Sequence, residues 1–224
     1  MVADPLATGA LVAKVNWQTV SALATAGGTL VLAVATFSAV RSSNRSARIA
    51  EQALLTGMRP VLVPSLADAP VQKALWRGGH TAKIPGGRAV VEEEGGVIYI
   101  AMSLRNLGSG IALLHGWYPR PGEETFTQSD RAAIEDFRRL AIDLYIQAGD
   151  NGFFESAVRD EADPLHAEFL AVIEERRGFA LELLYGDQIG GQRTISRYLV
   201  LPTTDDGWYC QSGRHWNVDM PDPR

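Results

Sequence analysis

The chain has 224 residues, a net charge of −5 and one cysteine, Cys210. That length supports one ordinary domain beside any membrane segment, and a single cysteine excludes an internal disulfide and a multi-cysteine metal site. The charge is split: Lys14, Arg41, Arg45, Arg48 and Arg59 against Asp4 and Glu51 leave the first 59 residues at +3 and the rest at −8. An acidic domain is repelled by phosphate backbones, so no nucleic acid is expected as its partner.

Between Lys14 and Arg41 there is no charged side chain. At ~1.5 Å per residue, about twenty helical residues cross a hydrocarbon core roughly 30 Å thick. The expected organisation is a short extracytoplasmic tail over residues 1–16, a transmembrane helix over 17–40, a juxtamembrane helix over 41–59 and a cytoplasmic domain over 60–224. Orientation follows the basic residues nearest the membrane: Lys14 stands alone before the segment, whereas Arg41, Arg45 and Arg48 follow it at once, which places the N-terminus outside and the domain inside the plasma membrane. Trp17 is then expected at the outer interface and the three arginines at the inner one, against lipid headgroups. Two other readings compete. A cleaved secretory signal needs a basic start, which MVADPLATGA lacks, and Ala33-Val34-Ala35 is a weak cleavage site. A buried helix of a soluble protein fits the content of Ala, Thr, Ser and Gly. Ser21, Thr25 and Thr29 recur every four residues with Gly28 alongside, a face of small residues suited to helix pairing and hence to a homo-oligomer.

RSSNRSARIAEQALLTGM contains no proline, so the helix is expected to continue until Pro60 stops it. Beyond Pro60 the period becomes strand-like. VLVPS is a short extended run, and AVVEEEGGVIYIAMSLRN reads as a hairpin around Glu94, Gly95 and Gly96. Its second arm sends Ile98, Ile100, Met102 and Leu104 one way and Tyr99, Ala101, Ser103 and Arg105 the other. The same alternation is read at Ile111, Leu113, His115 and Trp117, at Ile142, Leu144 and Ile146, and at Phe179, Leu181, Leu183 and Tyr185, with further strands over 193–201 and 208–217. Asp68 to Gly87 reads as a long mobile loop. One helix interrupts the strands: Asp163 as N-cap, Pro164 at the first position, a stripe of Leu165, Phe169, Val172 and Ile173, and Gly178 as the stop. The expected fold is mainly β with α: an N-terminal transmembrane helix and an antiparallel β-sandwich, Ig-like, with one inserted helix.

Three segments form a set: GMRPVLVPS, SLRNLGSGIA and LLYGDQIGGQRTISRYLV. Their key positions are Asn106, Gly108, Gly110 and Ala112 in the middle segment and Tyr185, Asp187, Gly190 and Gly191 in the last. Together they resemble a group of bacterial, in flavour actinobacterial, single-pass membrane proteins with a membrane helix, a short helical linker and a β-sandwich domain. The resemblance implies an architecture and no activity. Read as residues, Asn106 and Asp187 beside their glycines are turn-makers.

Signals for chemistry are sparse. Gly108-Ser109-Gly110 is followed by no helix pattern and no Lys-Ser/Thr pair, so it is not read as a phosphate loop. His80, His115, His166 and His215 lack the spacing of a metal pair, no Gly-x-Ser-x-Gly elbow occurs, and Cys210 reads as a small buried side chain. Asp143, Asp150, Glu155 and Asp187 are acids with nothing in the sequence to pair them, and Trp76, Trp117, Trp208 and Trp216 suit core packing or a groove. No catalytic residue, metal or cofactor is expected. The expected function is a membrane-anchored cytoplasmic binding or interaction module of unknown ligand, with membrane lipid and a protein as candidate partners. The alternatives are an accessory subunit of a larger membrane complex, or an enzyme of unrecognised type, for example a hydrolase using carboxylates with His166 or His215.

Overall fold

The computed structural model of the protein describes residues 16–122, 126–190 and 192–222; residues 1–15 of the expected tail, with Lys14, and Gly191 lie outside them. The chain divides into two units after Ala53. Helix α1 (Trp17–Gly57) runs unbroken for 41 residues, about 60 Å at the helical rise. Its apolar part is long and apolar enough to cross a membrane, with a mean hydropathy of 1.8. The hydroxyls of Ser21, Thr25 and Thr29 donate to the carbonyls of Gln18, Ser21 and Thr25 at 3.0, 2.9 and 2.8 Å. Satisfying hydroxyls within their own helix lowers the cost of placing them in lipid. Trp17, Arg41, Arg45 and Arg48 are all exposed on this helix. It ends three residues before Pro60, because the residue preceding a proline is pushed out of the α region.

The second unit is a strand-rich domain. In chain order its strands are β1 (Leu62–Pro64), β2 (Gln72–Leu75), β3 (Thr81–Ile84), β4 (Arg88–Glu94), β5 (Val97–Asn106), β6 (Ala112–Pro121), β7 (Arg138–Ile146), β8 (Asn151–Val158), β9 (Phe179–Gly186), β10 (Thr194–Pro202) and β11 (Trp208–Asn217), with helix α2 (Pro164–Glu174) between β8 and β9. Nine strands form one curled antiparallel sheet, and β2 and β3 form a separate hairpin. β5 is the hub: β8 lies along one edge, and β4 then β1 share the other. From β4 the sheet passes to β11 through two residue pairs only, Ala89 with Trp208 and Arg88 with Tyr209. β10, β9, β6 and β7 continue from β11. The curl therefore lays two half-sheets over one another, thinly joined at β4 and β11. At the other end no ladder joins β7 to β8 among the described residues, which leaves an open seam between them.

The core lies between the half-sheets. Ile98, Ile100, Met102 and Leu104 of β5 face Phe179, Leu181, Leu183 and Tyr185 of β9, as the alternation predicts. Asp163 caps α2 by accepting the Leu165 amide at 3.0 Å, Pro164 starts it, and Leu165, Phe169 and Val172 close the core, with Phe169 edge-on to Phe179. The left-handed residue after the helix is Arg176 (φ 52°), ahead of the expected Gly178. Its guanidinium donates to the carbonyls of Thr203, Asp206 and Gly207 and lies over Trp208, contacts that offset a conformation costly to a non-glycine residue.

Two expectations are corrected. Asp68 to Gly87 is not a loop: β2 and β3 form a hairpin with a tight turn at Gly78 and Gly79, and Ala74, Trp76 and Ile84 cover Tyr99 and Ala101 on the outer face of β5. The two strands are four residues each, too short for periodicity to register. In β6 the alternation from Ile111 to Trp117 is broken by a bulge between Leu114 and Gly116. Ala112, Leu114 and Trp117 therefore face the core, whereas His115 is exposed.

Candidate functional site

The three familiar segments converge where the chain enters the domain. The buried Asn106 amide uses its whole hydrogen-bonding capacity: Oδ1 accepts from the amides of Val61 (3.1 Å) and Gly108 (3.0 Å), and Nδ2 donates to the carbonyls of Gly110 (2.7 Å) and Ile146 (3.1 Å). Gly108 and Gly110 lie directly beneath the backbone of Met58 to Val61, and a Cβ at either would overlap it. Leu62 points its amide and carbonyl away from β5, where no strand meets them. The amide donates to the Tyr185 hydroxyl (3.2 Å), and the Tyr198 hydroxyl donates to the carbonyl (2.9 Å). Arg59 donates to Thr194 and Asn217 and lies 3.3 Å from His215 Nε2. Asp187 accepts the amides of Ile189 and Gly190. Asn106, its glycines and Tyr185 fasten the entry segment, and Asp187 makes a local turn.

Ser196 Oγ lies 2.8 Å from His215 Nδ1, the geometry nearest to a nucleophile and base. Ser196 is buried and also bonded to the Tyr185 hydroxyl, and Arg59 stands beside the other nitrogen of His215. A triad needs an exposed nucleophile and a base oriented by an acceptor, so this pair is a structural link. His166 binds the Gly96 carbonyl at 3.0 Å, and His80 sits between Glu92 (2.8 Å) and Glu94 (2.6 Å), stacked on Tyr99. Cys210 is buried beside Met102, and burial pushes its thiol pKa far up. Among the described residues no group of three or more His, Cys, Asp or Glu could hold a metal.

On the outer face of β9 and β10 a buried ion pair fixes the segment before β7. Arg197 donates to Glu182 at 3.0 and 2.5 Å and to the carbonyls of Gln128 and Asp130, while Glu182 also accepts the Ala132 amide and lies 2.8 Å from Arg120. This covers the second face of β9, which explains why all eight of its residues are buried.

The open seam between β7 and β8 holds the feature that packing does not explain. It is a cavity of about 280 Å³ walled by Trp76 of the hairpin, Trp117 of β6 and Ile142 of β7. Glu155 of β8 lines it, 8% exposed. Its Oε2 is buried with no hydrogen-bond partner among the described residues. Burial raises the carboxyl above its ordinary pKa, and the Leu75 amide offsets part of that rise. A buried carboxylate left unpaired is costly, so natural structures nearly always pair one. Arg77, Arg138, Arg139 and Arg159 also line the cavity. Arg138 is occupied by Asp163 through two bonds, at 2.6 and 3.0 Å. The side chains of Arg77 and Arg139 form no ion pair among the described residues, and Arg159 reaches only the Arg77 carbonyl and the face of Tyr99. The site can offer a buried carboxyl with one unpartnered oxygen in a pit bordered by two tryptophans and four arginines.

No protein-family model matches the chain, and no curated protein matches it either.

The residues singled out in the membrane segment, Trp17, Arg41, Arg45 and Arg48 at the interfaces and Ser21, Thr25, Gly28 and Thr29 on the pairing face, all lie on α1. Of the acids considered, Asp187 and Glu155 are buried; Asp187 is satisfied by its turn amides, whereas Glu155 has an oxygen with no partner among the described residues, and of the tryptophans Trp76 and Trp117 line the pit. The arginines carried no signal in sequence. They stand on three different segments and meet only because the sheet curls.

Proposed function

We propose that the chain is a single-pass, membrane-anchored binding module. α1 is the anchor, the basic residues after it set the β-domain in the cytoplasm, and the domain takes a small ligand into the seam between β7 and β8. The observation that carries this reading is Glu155, a buried acid whose Oε2 has no hydrogen-bond partner among the described residues, on the lining of a cavity that Trp76 and Trp117 border. Concave, largely apolar sites with a few convergent polar groups and a perturbed acid are where small molecules bind. The anchor reading is supported by the length and apolarity of α1, and the orientation by Arg41, Arg45 and Arg48.

The test is a thermal-shift screen of small metabolites against the full chain in nanodiscs, beside an Ala141→Trp variant that fills the cavity. A ligand that stabilises the native chain and not the variant is expected; a screen in which no compound separates the two contradicts the reading. The topology is checked with a carboxy-terminal alkaline phosphatase fusion, expected to be inactive. An active fusion would reverse the orientation.

A further inference from the structure

We infer that the seam cavity takes a small zwitterion of the α-amino-acid class, its ammonium on Glu155 Oε2, its carboxylate toward Arg77 and Arg139, and its side chain between Trp76 and Trp117. This rests on the cavity being a ligand site, and it assigns the chemistry of that ligand.

Three observations lead there. At about 280 Å³ the cavity falls at or below the ~300–1,000 Å³ of sites for drug-sized ligands, so its occupant is of amino-acid size. Next, the Leu75 amide is the one donor to the buried Glu155 carboxyl among the described residues, and Oε2 has none. An ionised carboxylate accepts and cannot donate, and its strongest partner is a charged N–H group. None of the cavity's own guanidiniums has taken that place: no ion pair to Glu155 occurs among the described residues although four arginines share the lining. Third, the rim carries an excess of positive charge. Arg138 is neutralised by Asp163, which leaves Arg77, Arg139 and Arg159 facing solvent at the mouth. A simple cation would fill Glu155 and be repelled by the rim; a simple anion would suit the rim and leave Glu155 unfilled. A molecule bearing both charges a few bonds apart answers both.

The inference is tested by calorimetric titration of the full chain in nanodiscs with three probes of one shape: L-leucine, 3-methylbutylamine, which lacks its carboxylate, and 4-methylpentanoate, which lacks its ammonium. L-leucine is expected to bind about 10-fold or more tightly than either half-molecule, the worth of one charge-assisted bond. Glu155→Gln is expected to lower L-leucine to the affinity of 4-methylpentanoate while leaving 4-methylpentanoate unchanged, and Arg139→Gln to lower it toward 3-methylbutylamine. Glutamine matches glutamate in shape and Arg139 is exposed, so both variants keep the fold. If 4-methylpentanoate or 3-methylbutylamine equals L-leucine, the zwitterion is wrong while the cavity stands as a ligand site. If none of the three binds, the zwitterion is likewise wrong, and the metabolite screen against Ala141→Trp decides separately whether the cavity binds anything.

Discussion

The indole N–H of Trp76 donates to the carbonyl oxygen of Ser156 at 3.0 Å, latching the β2–β3 hairpin to β8 beside Glu155. One side chain thus makes a wall of the cavity and holds its cover in place. Its ring also meets Tyr99 edge-on and fills the cluster over the outer face of β5. Trp76→Ala is expected to destabilise the domain by about 3–5 kcal/mol, the range for truncating a buried tryptophan. Hydrogen exchange reads the result: the amides of Thr81 to Ile84 should lose protection before those of β9. Equal loss in both would show that the hairpin is no separate unit.

The burial of Glu155 predicts a pH dependence with a definite sign. Its folded pKa is raised above the unfolded value of about 4.3, so between the two the native state holds more protons than the unfolded chain. Stability must then fall as pH rises through that window and stay lower above it. Glu155→Gln removes the titration. Urea denaturation is expected to show the variant equal to the native chain below pH 4 and more stable above the window; a variant less stable at neutral pH would mean that the Leu75 amide outweighs the cost of burial.

Asn106 joins three stretches of backbone through four hydrogen bonds. Asn106→Ala leaves buried donors and acceptors unsatisfied at roughly 1–3 kcal/mol each, so a total loss of about 4 kcal/mol is expected from denaturant titration. Asn106→Asp sets a buried carboxylate oxygen against the Gly110 and Ile146 carbonyls, and should be at least as damaging as Asn106→Ala at neutral pH. Gly110→Ala should be at least as damaging as Asn106→Ala, since its methyl group meets the Met58 carbonyl.

Cys210 is the only thiol in the chain and is 1% exposed, with its pKa raised by burial alone. Only a thiolate reacts readily. Alkylation by iodoacetamide is therefore expected to be negligible in the folded protein and complete in urea, with a native rate that follows global opening. Fast native labelling would contradict the packing of β11 against β5.

Much of the fold was legible because its signals are local. The charge-free run before Arg41, the cap at Asp163 and Pro164, and the alternation in β5 and β9 each concern neighbours in sequence. The entry motif was legible in part: Asn106 and its glycines read as a turn, yet their task of seating Met58 to Val61 depends on a contact across some fifty residues. The bulge at Gly116 left no mark, and it puts Ala112 and Leu114 rather than Leu113 and His115 on the core face with Trp117. The cavity was hidden most deeply. Glu155 is one acid among 26 in sequence, and only the curl that leaves β7 and β8 unpaired gives it a pit, two indoles and a ring of arginines.

The measurement that bears most directly on the seam as the binding site is ligand-induced stabilisation of three full-length proteins in nanodiscs: the native chain, Ala141→Trp in the seam, and Ser212→Trp in the groove between β1 and β11. The expected result is that a ligand raising the Tm of the native chain raises that of Ser212→Trp equally and leaves Ala141→Trp unmoved. Stabilisation that survives Ala141→Trp and disappears in Ser212→Trp would contradict it.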